Sequence, residues 1–135
     1  MEMPSIMTHA SIGTNDFERA VAFYDKVMAT IGAEKKMSVP GAVAYGRMFP
    51  EFWVQQPIDG GPATVGNGTH FGLYAATKDQ VDDFFKTAIE AGATSEGEPG
   101  PRPDYGPSYY ACFIRDLDGH KVEAAFMDMS AHAGD

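Results

Sequence analysis

Two stretches of the chain carry the same alternation of apolar and polar positions. Residues 6–13 and 69–76 hold β-type apolar and small residues and predict strands. After the first, Phe17, Ala20, Val21, Tyr24, Val27, Met28 and Ile31 recur at spacings of three and four; after the second, Val81, Phe84, Phe85, Ala88 and Ile89 do the same. Each series predicts a helix with one buried face. Asn15 with Glu18, and Thr77 with Gln80, are the expected start signals, and Gly32 and Gly92 the expected left-handed stops.

Shorter extended runs follow each helix, at 34–39, 42–48 and 51–56, then at 94–97, 108–115 and 121–127. The turn Asp116 to Gly119 predicts a tight hairpin between the last two. The Gly- and Pro-rich segments 57–68 and 97–107 read as loops, the first joining two halves and the second of the kind that covers a pocket. The halves also align residue by residue. His9 and His70, Phe23 and Phe84, and Tyr24 and Phe85 each stand 61 positions apart, and Gly32-Ala33 matches Gly92-Ala93 after a one-residue gap. The expected fold is α+β, with one domain of two tandem βαβββ modules. Module one covers about 5–57, a linker 58–67, module two 68–128 and a polar tail 129–135.

Composition narrows the partners. The 135 residues suffice for one domain with a core, and 44% hydrophobic with 21% charged residues is an ordinary globular balance. A net charge of −9, with ten scattered lysines and arginines, argues against nucleic acid, and any anionic ligand then needs a local cationic pocket. No apolar run is long enough to cross a membrane, and the first residues carry no signal-peptide pattern. The single cysteine, Cys112, lies in an apolar run and predicts a buried small hydrophobe, so a reduced, cytoplasmic setting is expected.

Strand alternation selects the candidate chemistry. His9 shares a face with Met7 and Ser11, and His70 with Gly72 and Tyr74. Glu123 sits mid-strand among Val, Ala and Phe, where a carboxylate costs free energy unless a cation or donor compensates it. Two imidazoles and a carboxylate are donors that a divalent first-row metal prefers. Composition and spacing alone favour the plainer alternative, hydrogen-bonded strand histidines and an edge or ion-paired glutamate. Trp53 suits either the core or the stacking of a planar ligand. Tyr105, Tyr109 and Tyr110 flank the second loop, and Arg102 within it is the best cation for an acidic ligand. His120 follows a turn glycine and is expected to be exposed; His132 lies in the polar tail, and neither is expected to bind metal.

The duplicated plan, with "THASIGTNDFERAVAFYDKVM", "GNGTHFGLYA" and "IRDLDGHKVEAAF", resembles the vicinal oxygen chelate superfamily over about residues 6–127. Its members include glyoxalase I, bleomycin-resistance proteins, fosfomycin-resistance enzymes and extradiol dioxygenases. The resemblance implies a cupped sheet around a pocket, with metal ligands on the first, fourth, fifth and eighth strands. His9, His70 and Glu123 then fall on the first, fifth and eighth. On the fourth, "PEFWVQQP" aligns with the eighth so that Trp53 stands where glyoxalase I has glutamate. Gln55 is on the same face, as is Glu51 at the strand entrance. A lactoylglutathione lyase is therefore disfavoured. The resemblance implies a lyase, dioxygenase or thiol transferase using Zn, Ni, Mn or Fe on a small oxygenated or electrophilic molecule. The alternative is a non-catalytic, bleomycin-resistance-like sequestering protein with a degenerate metal site. Tyr74, Arg102, Tyr105, Tyr109 and Tyr110 are the expected substrate-pocket residues, and a homodimer the expected assembly.

Overall fold

The computed structural model describes residues 5–128; the tail 129–135, with His132, lies outside the described residues. Strand β1 (Ala10–Gly13) leads into helix α1 (Phe17–Ala29), then β2 (Glu34–Val39), β3 (Ala42–Gly46) and β4 (Phe52–Gln55). Strand β5 (Phe71–Tyr74) leads into α2 (Lys78–Glu90), β6 (Thr94–Pro101), a 3-10 turn at Pro103–Tyr105, β7 (Tyr110–Arg115) and β8 (Lys121–Phe126). These are the two tandem βαβββ modules of an α+β fold, and the chain divides into two compact units between Thr64 and Val65. Each unit has a four-stranded mixed sheet, ordered β1-β4-β3-β2 in the first and β5-β8-β7-β6 in the second. In both, the first strand runs parallel to the last and the remaining pairs are antiparallel.

In module one, α1 buries Ala20, Phe23, Tyr24, Val27 and Met28. Tyr24 packs its ring at 5.4 Å from Phe52 and 6.3 Å from Tyr45. Only the helix-facing residues of β4, Phe52 and Val54, are buried to 4% or less. Trp53 and Gln55 are half-buried on the opposite face. The helix starts at Asp16, whose carboxylate accepts from Arg19 N, and not at Asn15. Asn15 is diverted to the loop before β5, accepting from Ala63 N at 2.7 Å and donating to Ala63 O at 3.3 Å. Gly32 ends the helix as expected, at φ +73°.

Module two repeats the plan around Val81, Phe84 and Ala88 of α2. Thr77 caps this helix by accepting from Gln80 N, while Gln80 reaches back to accept from Ala76 N. Ile89 turns outward at 36% exposure, off the predicted buried face. The largest departure is β6, which continues through Gly97–Pro101, part of the expected loop. As the last strand of its sheet it tolerates proline, and two register shifts against β7 accommodate the extra residues. His120 is also not exposed as expected, at 6%. The Asp116 carboxylate accepts from Asp118 N and His120 N, folding the hairpin tightly and turning His120 inward. Cys112 is fully buried against α2, and burial pushes its thiol up to about 12, so it is an inert core group. No helix among the described residues is long and apolar enough to cross a membrane.

Asp25 ties α1 to its sheet through Lys35 of β2, at 3.3 Å, and through Tyr45 of β3. The Tyr45 hydroxyl donates to Asp25 Oδ1 at 2.8 Å and lies 3.2 Å from Val21 O. Burial first, and then the Asp25 acceptor, raise its pKa above the ordinary tyrosine value. Its contribution is therefore complete below the unfolded value of about 10 and is lost as pH rises towards the folded one. Tyr45→Phe is expected to cost about 1 kcal/mol of unfolding free energy near neutral pH. It should also flatten the fall in stability above about pH 10. Urea unfolding across that range checks both, and a variant as stable and as alkali-sensitive as wild type contradicts the assignment.

Candidate functional site

The pairing register of module two decides where its chemistry lies. Glu123 of β8 faces Gly72 of β5 on one side and Phe113 of β7 on the other. Alternation turns Lys121, Glu123 and Ala125 away from α2, together with Ala111 and Phe113, while Tyr110, Cys112 and Ile114 turn towards it. The Ala111, Phe113 and Ala125 side chains form an apolar cluster covered by Tyr109. Glu123 enters beside this floor and is only 4% exposed. A buried carboxylate needs donors, and it has two. His70 Nε2 stands 2.7 Å from Oε1, within hydrogen-bond distance. The Tyr109 hydroxyl donates to Oε2 at 2.5 Å. Burial and this acceptor raise the tyrosine pKa, so Tyr109 remains a neutral donor throughout the physiological range. Gly72 leaves the space above the carboxylate open: a Cβ there would meet Oε1 at 3.6 Å.

A cavity of about 510 Å³ opens over this cluster, lined by His70, Glu96, Arg102, Tyr105, Tyr109, Phe113, Lys121 and Glu123. Five of the residues singled out from the sequence thus come together: His70, Glu123, Arg102, Tyr105 and Tyr109. Two others do not. Tyr110 belongs to the helix side of β7, where its hydroxyl donates to Asp82 and Lys78 lies over its ring. Tyr74, at the end of β5, is 45% exposed and not among the lining residues. Phe113, Lys121 and Glu96 were missed. The first two stand on the same strand faces as Tyr109 and Glu123 at a spacing of two or four, so alternation alone was signal enough.

Module one has its own cavity, of about 630 Å³, lined by residues including Met7, His9, Ser11, Phe49, Trp53 and Gln55. The Thr8 hydroxyl meets His9 Nδ1 at 2.9 Å. The register clarifies Trp53. Ser11 pairs with Trp53 in the first sheet as Gly72 pairs with Glu123 in the second, so the indole occupies the position homologous to the carboxylate. Gln55 lies two residues further along the same face.

Residues 6–124 match the family described as the Glyoxalase/Bleomycin resistance protein/Dioxygenase superfamily. The chain belongs to this superfamily. A glyoxalase/bleomycin resistance protein from Albidiferax ferrireducens T118 shares 33% identity over 92% of this chain and 100% of its own, with a TM-score of 0.84. More distant structures share the glyoxalase fold alone. One is a putative glyoxalase from Bacillus halodurans, at 22% identity, 91% and 96% coverage and TM-score 0.69. Another is a lactoylglutathione lyase from Agrobacterium tumefaciens, at 24%, 93% and 96%, and 0.62. No match was found among curated proteins.

Glyoxalase-superfamily proteins generally bind small molecules, commonly with a divalent metal, and module two offers part of the donor set for one. Among the described residues no three His, Cys, Asp or Glu side chains stand together as a ligand group. The His70–Glu123 pair nevertheless fits two ligand positions: an imidazole nitrogen and a carboxylate oxygen converge, and both are metal donors. Tyr109 holds the other carboxylate oxygen, the kind of hydrogen bond that orients a ligating glutamate. On this geometry Tyr109→Phe should cost about 1–3 kcal/mol, because it strips a donor from a buried carboxylate. Tyr110→Phe, which loses only a bond to exposed Asp82, should cost less than about 0.5 kcal/mol. Denaturant unfolding of both variants checks this; equal costs would contradict the placement of Tyr109.

Proposed function

We propose that this superfamily member is a divalent-metal enzyme whose working centre is the module-two cavity, acting on a small oxygenated or electrophilic organic molecule. The observation that carries the reading is the convergence of His70 Nε2 and Glu123 Oε1 at 2.7 Å on an otherwise apolar floor. His70 and Glu123 would hold the ion, and His9 is the further imidazole that the resemblance adds to them. A bound ion supplies Lewis acidity to a substrate oxygen. The chain's own residues do the remaining work. Tyr109 fixes the carboxylate through Oε2 and keeps its proton. Phe113 and Tyr105 provide apolar walls that orient a small ligand, and the open space over Gly72 gives it room.

A second reading is favoured by Trp53. An indole at the position homologous to Glu123 cannot ligate a metal or act as a base, and it faces a cavity suited to an apolar ligand. A sequestering protein of the bleomycin-resistance kind would use such a surface without catalysis. Lactoylglutathione lyase activity is not proposed, since Trp53 replaces the glutamate that the resemblance assigns to that reaction.

Elemental analysis of protein purified without chelator separates the two. The metal reading expects about one divalent ion per chain, and at least a tenfold loss of affinity for it in His70→Ala. His9→Ala in the same assay reads whether that imidazole contributes. No stoichiometric ion in wild type, after dialysis against zinc or manganese, would overturn the metal reading and leave sequestration.

A further inference from the structure

The cavity of module two carries an arrangement that neither the family nor the metal reading requires. Arg102, from the Gly- and Pro-rich segment, is folded back over the ring of Phe113, its guanidinium carbon 5.5 Å from the ring centroid. Its Nη2 donates to Glu98 O at 2.7 Å and its Nη1 to Pro101 O at 3.2 Å. Two glycines make the seat. A Cβ on Gly97 would meet Nη2 at 3.3 Å and Phe113 Cδ2 at 3.0 Å, and one on Gly100 would meet Nη1 at 3.2 Å. Neither glycine has a positive φ, so they serve here by leaving room for the guanidinium. Lys121 brings a second cation over the same ring, Nζ at 5.3 Å from its centroid.

Among the described residues neither cation has a carboxylate within ion-pair distance. The two carboxylates that line the cavity are engaged elsewhere: Glu96 with Arg115 Nε at 2.5 Å, and Glu123 with His70 and Tyr109. A net charge of −9 gives ample opportunity for pairing, yet two cations share one aromatic ring at a cavity wall without it. A guanidinium held by an aromatic face and two backbone carbonyls, with no carboxylate bonded to it and a second cation over the same ring, is preorganised for an anion.

We infer that the module-two cavity takes a ligand bearing an anionic group, of the carboxylate class, which sits between Arg102 and Lys121 while its apolar body lies against Phe113 and Tyr105. The inference rests on the reading of this cavity as the ligand site, but not on the presence of metal. It specifies the substrate class: a small aromatic or unsaturated acid, whose carboxylate is bound at one end of the cavity and whose reacting part lies nearer His70 and Glu123.

Calorimetric or NMR titration of the full chain, as purified, with benzoate and with its neutral isostere benzamide tests this. Benzoate is expected to bind about tenfold more tightly, an advantage that shrinks with added salt. Arg102→Gln with Lys121→Met should abolish the difference, whereas Lys121→Arg, which keeps the charge, should retain it. Equal affinities in wild type, failure of benzoate to bind, or a preference that survives the double substitution would each overturn the inference. Failure here with stoichiometric metal leaves the metal reading intact, and absence of metal with the benzoate preference intact sinks that reading alone.

Discussion

The buried carboxylate of Glu123 is the constraint around which module two is arranged. A glutamate at 4% exposure among Phe113, Ala111 and Ala125 is tolerable only if both oxygens are occupied. The fold supplies the partners from separate elements: His70 from the approach to β5, and Tyr109 from the approach to β7. Each partner depends on strand register. A slip of β8 by one residue against β7 would turn Glu123 to the helix side and part it from Phe113. The tight Asp116–Gly119 hairpin therefore does more than join two strands. By fixing their register, it aims the carboxylate.

The two modules share a plan and differ in chemistry at one matched position. Where module two pairs Gly72 with Glu123, module one pairs Ser11 with Trp53. The first cavity is accordingly walled by Met7, Phe49 and Trp53, and the second by charged and hydroxylated groups around a single phenylalanine. Duplication preserved the helix-facing residues, Phe23 and Phe84 among them, because they build the core of each unit. It left the opposite face free to diverge, and that face is where the modules part company.

This division also explains what the sequence made legible. The helices and their glycine stops follow from a 3.6-residue period and from backbone conformation, both local properties. The correspondence of Trp53 with Glu123 was visible in the repeat, and the two registers agree with it. Other features depend on contacts distant in sequence. Asn15 offered a suitable cap but is taken by Ala63, so Asp16 caps instead. Segment 97–101 has loop composition, yet it pairs as the outermost strand because an edge asks little of proline. Arg102 could be picked out as a cation, but its seat over Phe113 depends on the side chains that Gly97 and Gly100 lack. His120 read as a turn residue until the Asp116 carboxylate drew its backbone inward.

The central claim is that His70 and Glu123 act as one unit towards a divalent ion. A double-mutant cycle on zinc affinity, using His70→Ala, Glu123→Gln and the combined variant in calorimetric titrations, tests it most directly. The account predicts that each single substitution weakens binding about 10–100-fold and that the combined loss is clearly smaller than the product of the two. Zinc affinity unaffected by either substitution, or losses that multiply independently, would contradict it.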